Sequence, residues 1–318
     1  MQDKIQFIPE EDLKVTSVPF AALSQTQNWG MALASIQSVW TLTKGEDVVV
    51  AILDTGIAEH DDLVSAWSKD SVFNCSGDDS SEDKASGHGT HVAGIIAGND
   101  NDFGVVGVAP NCKVIPIKVL SDDGSGSYES IANGLRKAID LNVDIINMSL
   151  GASQEPPKEI HNLILEAVSK GIVIIAAAGN DSKSVNWPAR YDEVIAVAAL
   201  DANGSLATFT SKDETVDIVA PGVDIYSTYL RNEYCKMSGT SQSSPFVAGI
   251  CALIKSGLKK LNLLPEFGNQ FCQADMMLAL KNISSLENAH IIPGEEKNWG
   301  PGVPKLANVD WQSVLVKK

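Results

Sequence analysis

Three short segments carry groups that could do covalent chemistry. Asp54 lies in Val-Val-Val-Ala-Ile-Leu-Asp-Thr-Gly (48–56), and His88 in Gly-His-Gly-Thr-His-Val-Ala-Gly (87–94). Ser241 lies in Ser-Gly-Thr-Ser-Gln-Ser-Ser-Pro-Phe-Val-Ala-Gly (238–249). A carboxylate, an imidazole and a hydroxyl are the set that activates a serine for acyl transfer. Their chain order, Asp then His then Ser, is one of three orders known to build that geometry.

Each segment is weaker alone than in company. Asp-Thr-Gly also serves aspartic proteases, which need two copies or a dimer, and this chain has one. A serine opening a helix is most often a simple N-cap. His91, three residues after His88, invites a metal reading, but the pattern His-Glu-x-x-His is absent and His91 is taken as structural. Asn180 closes Ala-Ala-Ala-Gly-Asn (176–180), where its amide could donate a second hydrogen bond to an oxyanion. A turn asparagine after glycine is the competing reading.

The elements that must position these groups follow from periodicity. Residues 48–53 form a continuous apolar run, as in a strand buried on both faces, with Asp54 at its carboxyl end. Further strands are expected over 113–120, 143–150, 172–178, 194–199 and 215–219. Helices are expected over 89–97, 127–141, 157–170, 240–261 and 274–282, with 262–271 and 285–306 irregular. Ile131, Leu135, Ala138 and Ile139 mark one face of the second helix. Alternating strands and helices predict an α/β, three-layer fold: a mostly parallel central sheet with helices on both faces. Ligands of such sheets lie beyond the carboxyl ends of the strands, where Asp54 is expected.

The chain has 318 residues, 44% hydrophobic and 20% charged, enough to bury a substantial core. Its net charge of −16 argues against nucleic acid or an anionic membrane as partner. The first residues lack a basic segment followed by an apolar one, and no stretch is apolar enough to span a bilayer. The five cysteines are odd in number and match no zinc spacing. They read as free thiols in a reducing compartment, so a cytoplasmic location is expected.

With these motifs in hand, the chain resembles the subtilisin-like serine proteases (subtilases). The resemblance runs from about Ser24 to Asn298-Trp-Gly-Pro-Gly-Val303 and Leu306-Ala-Asn-Val-Asp310, and includes Gly107-Val-Ala-Pro110 and Val219-Ala-Pro-Gly222. It implies a serine endopeptidase with Asp54, His88 and Ser241 as the triad and Asn180 as the oxyanion amide. Gln242 stands where many subtilases carry methionine, which removes an oxidation-sensitive side chain beside the nucleophile. The resemblance implies substrate strands at Gly124-Ser125-Gly126-Ser127-Tyr128 and Ser149-Leu150-Gly151, between which an extended peptide would add as a β-strand. Tyr128, Ile131 and Leu150 would border an apolar pocket, and Asn186 would lie at the base of the primary pocket. The family often has glycine or serine there, so a simple preference for large aromatic residues is not expected. It also implies a Ca²⁺ site from the side chains of Gln25, Asp62 and Asn101 with the carbonyls of Asn99, Phe103 and Val105. An Asn/Asp turn is the alternative at that loop.

Residues 1–23 are read as an N-terminal extension and 24–318 as the catalytic domain. Ile5-Gln-Phe-Ile-Pro9 is similar to the short pro-segment of intracellular subtilisins, where it implies autoinhibition by a strand lying in the substrate cleft, although Glu10 replaces the usual tyrosine. Pro9 would resist attack or bend the backbone away from Ser241. A disordered tail is the alternative. The expected partners are therefore polypeptide substrates and the chain's own N-terminal segment, in a monomer or homodimer. A dedicated processing protease for leader peptides and an inactive binding module are the competing functions.

Overall fold

The computed structural model describes residues 4–6, 24–67, 71–264, 271–287, 289–291, 293–307 and 309–316. In chain order the elements are β1 (Lys4–Gln6), α1 (Trp29–Leu33), β2 (Val49–Asp54), β3 (Phe73–Asn74), α2 (His88–Ala97), β4 (Lys113–Lys118) and β5 (Ser125–Ser127). Then come α3 (Tyr128–Asp140), β6 (Ile145–Met148), α4 (Lys158–Ser169), β7 (Val173–Ala177), β8 (Ile195–Leu200) and β9 (Ile218–Pro221). They are followed by β10 (Ile225–Thr228), β11 (Tyr234–Met237), α5 (Thr240–Lys260), α6 (Gln273–Ile283), β12 (Ser284–Ser285) and β13 (Val303–Pro304).

The central sheet has seven strands in the order β3-β4-β2-β6-β7-β8-β9, all parallel. This is the α/β architecture expected from the sequence. Alternate residues of each strand feed opposite layers, as the period of two requires. Val50, Ile52, Ile145, Val173, Ile175 and Val197 join the layer of α2 and α5. Ala51, Leu53, Ile146, Met148, Ile174 and Ala196 join the layer of α3 and α4. Such two-sided burial explains why these strands read as unbroken apolar runs rather than alternating ones.

Helix ends are set by local chemistry. The Ser127 side chain accepts from Ser130 N and caps α3, and Pro157 precedes α4. Helix α5 is buried from Thr240 to Leu258 and crosses the sheet as a core element, so its sequence is apolar or small nearly all round. Among the described residues no helix is long and apolar enough to cross a membrane.

Three differences from the sequence expectation concern strands. The strand expected at 215–219 runs instead over Ile218–Pro221. Thr215 N and Oγ1 both bond to Asp213 Oδ1, at 2.9 and 2.5 Å, and this side-chain turn holds Thr215 out of the sheet. The span 285–306, expected to be irregular, holds β13 and the second residue of its partner β12. The β10–β11 hairpin has no glycine or proline in its connection; Arg231 and Asn232 take φ of +57° and +61° there, so the usual turn signal is missing.

Strand β1 of the extension pairs antiparallel with β5: Lys4 opposite Ser127, Ile5 opposite Gly126 and Gln6 opposite Ser125. Pro9 and Glu10, to which the sequence reading gave particular roles, lie outside the described residues.

Candidate active site

Asp54 ends β2, the strand where the chain's direction across the sheet switches, and is fully buried. His88 is the first residue of α2, and its Nδ1 lies 2.8 Å from Asp54 Oδ1. That oxygen also accepts from Thr55 N at 2.7 Å, which orients the carboxylate. The two glycines around His88 are steric necessities. Gly87 has φ +76° and a Cβ there would sit 2.0 Å from the Tyr229 ring; one on Gly89 would sit 2.0 Å from the Gly56 carbonyl oxygen. The close approach of Gly89 to β2 is what brings the imidazole to Asp54.

Burial alone lowers the His88 pKa, but the Asp54 charge and hydrogen bond, with Asp83 behind them, outweigh it, and the net displacement is upward. A general base must be neutral. With His88 in that role, activity is expected to fall as the pH drops through a midpoint above the ordinary imidazole value of 6.5. A kcat–pH profile checks this, and a midpoint below that value contradicts it.

Two buried charges behind the pair were not singled out from the sequence. Asp83, 2% exposed, accepts from Gly87 N at 2.9 Å and Thr90 Oγ1 at 3.2 Å, tying down the first turn of α2. Burial pushes its pKa up to about 6. Lys118 sits opposite Asp54 in the β2–β4 register and is fully buried. Its Nζ donates to the Thr55 carbonyl at 2.8 Å and to Asp122 at 2.7 Å, and pairs with Asp78 at 3.3 Å. The available signal was a lysine closing the otherwise apolar strand Lys-Val-Ile-Pro-Ile-Lys.

Ser241 is the second residue of α5, and its Oγ donates to the Ser149 carbonyl at 3.3 Å. Ser149 follows β6, the strand beside β2, so Asp54 and Ser241 are referenced to adjacent strand ends. Asn180 follows β7 by three residues, and its Oδ1 accepts from Thr240 N and Thr240 Oγ1, both at 2.9 Å. This fixes the amide beside the start of α5 with its NH₂ end directed away from Thr240. Thus Asp54, His88, Ser241 and Asn180 gather at one carboxyl edge of the sheet.

The other substrate candidates line the same edge. Gly124 has φ +77° and leads into β5, whose Ser125 N and Oγ bond to Asp123 Oδ1 at 2.9 and 2.7 Å. Gly126 is the middle residue of β5, and Tyr128, half-buried, opens α3. Ser149 and Leu150 are fully buried and Gly151 is buried beside them, so the side chains of this segment are turned into the protein. Asn186 donates its N–H to the Ala178 carbonyl at 2.8 Å and packs its amide against Gly179, the residue before Asn180.

The model of the subtilase family matches residues 45–273 of the chain. The chain belongs to the subtilase family. By family it is a subtilisin-like serine endopeptidase. It is 44% identical over 236 residues to a thermostable alkaline protease of Halalkalibacterium halodurans, covering 74% of this chain and 64% of that protein. It is 43% identical over 240 residues to subtilisin DY of Bacillus licheniformis (73% and 86%). It is 40% identical over 256 residues to an intracellular serine protease of Paenibacillus polymyxa (76% and 78%).

Other positions of this subtilase follow their surroundings. His91, with its pKa lowered to about 3 by burial, directs Nε2 at the carbonyls of Ile225 and Cys235, at 3.0 and 3.3 Å, and so ties α2 to the β10–β11 hairpin. Gln242 is 2% exposed with Nε2 3.8 Å from Met237 Sδ. All five cysteines are free thiols. Gln25, Asp62, Asn99, Asn101, Phe103 and Val105 form one cluster. Gln25 Nε2 donates to the Asn99 carbonyl at 2.7 Å, Asn101 Nδ2 to Asp62 Oδ1 at 2.7 Å, and Phe103 N to Asn101 Oδ1 at 2.9 Å. Val105 N donates to Asp62 Oδ2 at 2.6 Å. Among the described residues no group of three His, Cys, Asp or Glu could hold a metal, and this cluster has one carboxylate.

Proposed function

We propose that this subtilase hydrolyses peptide bonds of extended polypeptide through an acyl-enzyme on Ser241. The Asp54–His88 pair at 2.8 Å, gathered at one sheet edge with Ser241 and Asn180, carries this reading. His88 takes the Ser241 proton as Oγ attacks the scissile carbonyl, and Asp54 stabilises the imidazolium. The Asn180 amide and the N–H at the positive end of α5 hold the oxyanion. His88 then protonates the leaving amine, and water releases the acyl group. Hydrolysis of a peptide by the wild-type chain, set against Ser241→Ala, is the test.

Calcium is proposed at the cluster around Asp62. Its donor chemistry fits a hard cation that takes six or more oxygens. Asp62 is fully buried and its pKa is pushed up to about 6 by that burial, a cost that a bound cation would offset. A half-turn of the Gln25 amide would add its oxygen to the Asp62 carboxylate and the carbonyls of Asn99, Phe103 and Val105, and turning Asn101 would add another at the expense of the Phe103 N–H bond to its Oδ1. The ion would brace the loop after α2. Chelation should lower Tm by roughly 10 °C, corresponding to a few kcal/mol of binding free energy. Thermal melting with excess Ca²⁺ and with EGTA checks this, and coincident curves would remove calcium from the fold.

The extension is proposed to inhibit the enzyme, because β1 takes up the β5 edge that an extended substrate would use. A cytoplasmic location is proposed from the five free thiols, in keeping with the intracellular relative of Paenibacillus polymyxa. The buried amide of Asn186 beside Gly179 favours a second reading, a processing protease of narrow specificity. A peptide library separates the two: one dominant cleavage motif supports processing, and dispersed cuts support general turnover.

A further inference from the structure

We propose that Ser149 is a positioning residue for the nucleophile, its hydroxyl standing in for a helical hydrogen-bond donor that Pro245 cannot supply. The inference rests on Ser241 being the nucleophile.

In α5 the Ser241 carbonyl should accept from the N–H of residue 245. That residue is Pro245, which has no N–H and whose ring crowds the carbonyl four residues back. The carbonyl is inside the protein, where water cannot replace the missing donor. Ser149 Oγ lies 2.9 Å from this Ser241 carbonyl oxygen.

The proton of Ser149 is assigned by elimination. A hydroxyl has one proton to give and two sites that accept. Asn147 Nδ2, 3.0 Å from Ser149 Oγ, can only donate, and the Ser241 carbonyl can only accept. Ser149 therefore donates to Ser241, and Ser244 Oγ, at 2.9 Å, donates to Ser149. All three positions of a fully buried hydroxyl are in use.

The contact is reciprocal, since Ser241 Oγ bonds the Ser149 carbonyl at 3.3 Å. Residue 149 thus grips both the backbone and the side chain of Ser241, from the end of a strand paired with the one that carries Asp54. The clamp ties the nucleophile and the His88 orienter to one rigid sheet. Small displacements of a reacting group are costly in rate, so the clamp matters to chemistry more than to substrate affinity.

The test uses full-length protein and phenylmethanesulfonyl fluoride, whose sulfonylation of Ser241 reads the nucleophile without peptide binding. Intact mass gives the rate, and peptide hydrolysis gives kcat and KM. Ser149→Ala should slow sulfonylation and kcat about tenfold with KM nearly unchanged. Ser149→Thr, which keeps the hydroxyl but adds a methyl in a fully buried place, should be faster than Ser149→Ala. In a Pro245→Ala background the alanine N–H satisfies the carbonyl, so Ser149→Ala should then cost less than about twofold. An equal loss in both backgrounds, a loss confined to KM, or a Thr variant as slow as the Ala variant overturns the proposal. If the proline variant does not fold, the Thr–Ala comparison decides. A wild-type chain that is not labelled at Ser241 sinks the nucleophile assignment itself. Labelling at an unchanged rate in Ser149→Ala sinks only the clamp.

Discussion

Ser241→Ala should lower kcat for peptide hydrolysis roughly a millionfold, the loss that removal of the triad serine brings in subtilisin. The substitution removes one oxygen. It leaves the Ser241 carbonyl, its bond from Ser149 Oγ and the Thr240–Asn180 contacts intact, so the fold and the oxyanion donors persist. The remaining activity should reflect oxyanion stabilisation and binding alone. Removing the Asn180 amide while keeping Ser241 should cost far less, roughly 10²–10³-fold. Steady-state hydrolysis and intact mass with time are the measurements. A Ser241→Ala chain that keeps more than a small percentage of wild-type rate would remove Ser241 from the chemistry and revive the binding-module reading.

What the sequence reveals about this site and what it hides divide along a physical line. Asp54 was legible because a strand buried on both faces must be apolar until the residue that leaves the sheet, and that residue is the carboxylate. His88 was legible because the glycines that let α2 approach β2 flank it in the chain. Ser241 was legible because α5 is a core helix whose apolar run is local. Lys118 and Asp83 were not, because a buried charge is tolerable only with partners distant in sequence. Lys118 is held by Thr55, Asp78 and Asp122, and only Asp122 is near it in the chain. The Ser149–Ser241 hydrogen bond spans 92 residues, and the proline four places after Ser241 that leaves this carbonyl without a helical donor gains meaning only when the helix is drawn. The shifted strand β9 failed for a smaller reason: Thr215 has strand propensity, and the Asp213 side chain overrode it.

A chain lacking residues 1–23 should hydrolyse peptide from the first moment, about 10- to 100-fold faster than the intact chain before any self-processing. The backbone of Lys4–Gln6 already lies in antiparallel register on Ser125–Ser127, so an incoming peptide must displace a strand to use that edge. A tethered segment acts at an effective concentration on the order of millimolar, whereas a peptide substrate is supplied at micromolar levels. Even a weak strand would then hold the edge most of the time. Initial rates of the intact and shortened chains, taken with intact mass at each time point, separate inhibition from processing. A synthetic peptide of residues 1–12 added to the shortened chain should restore the inhibition in competition with substrate. Equal initial rates for both chains, with no effect of the added peptide, would reduce the extension to a tail that happens to pair with β5.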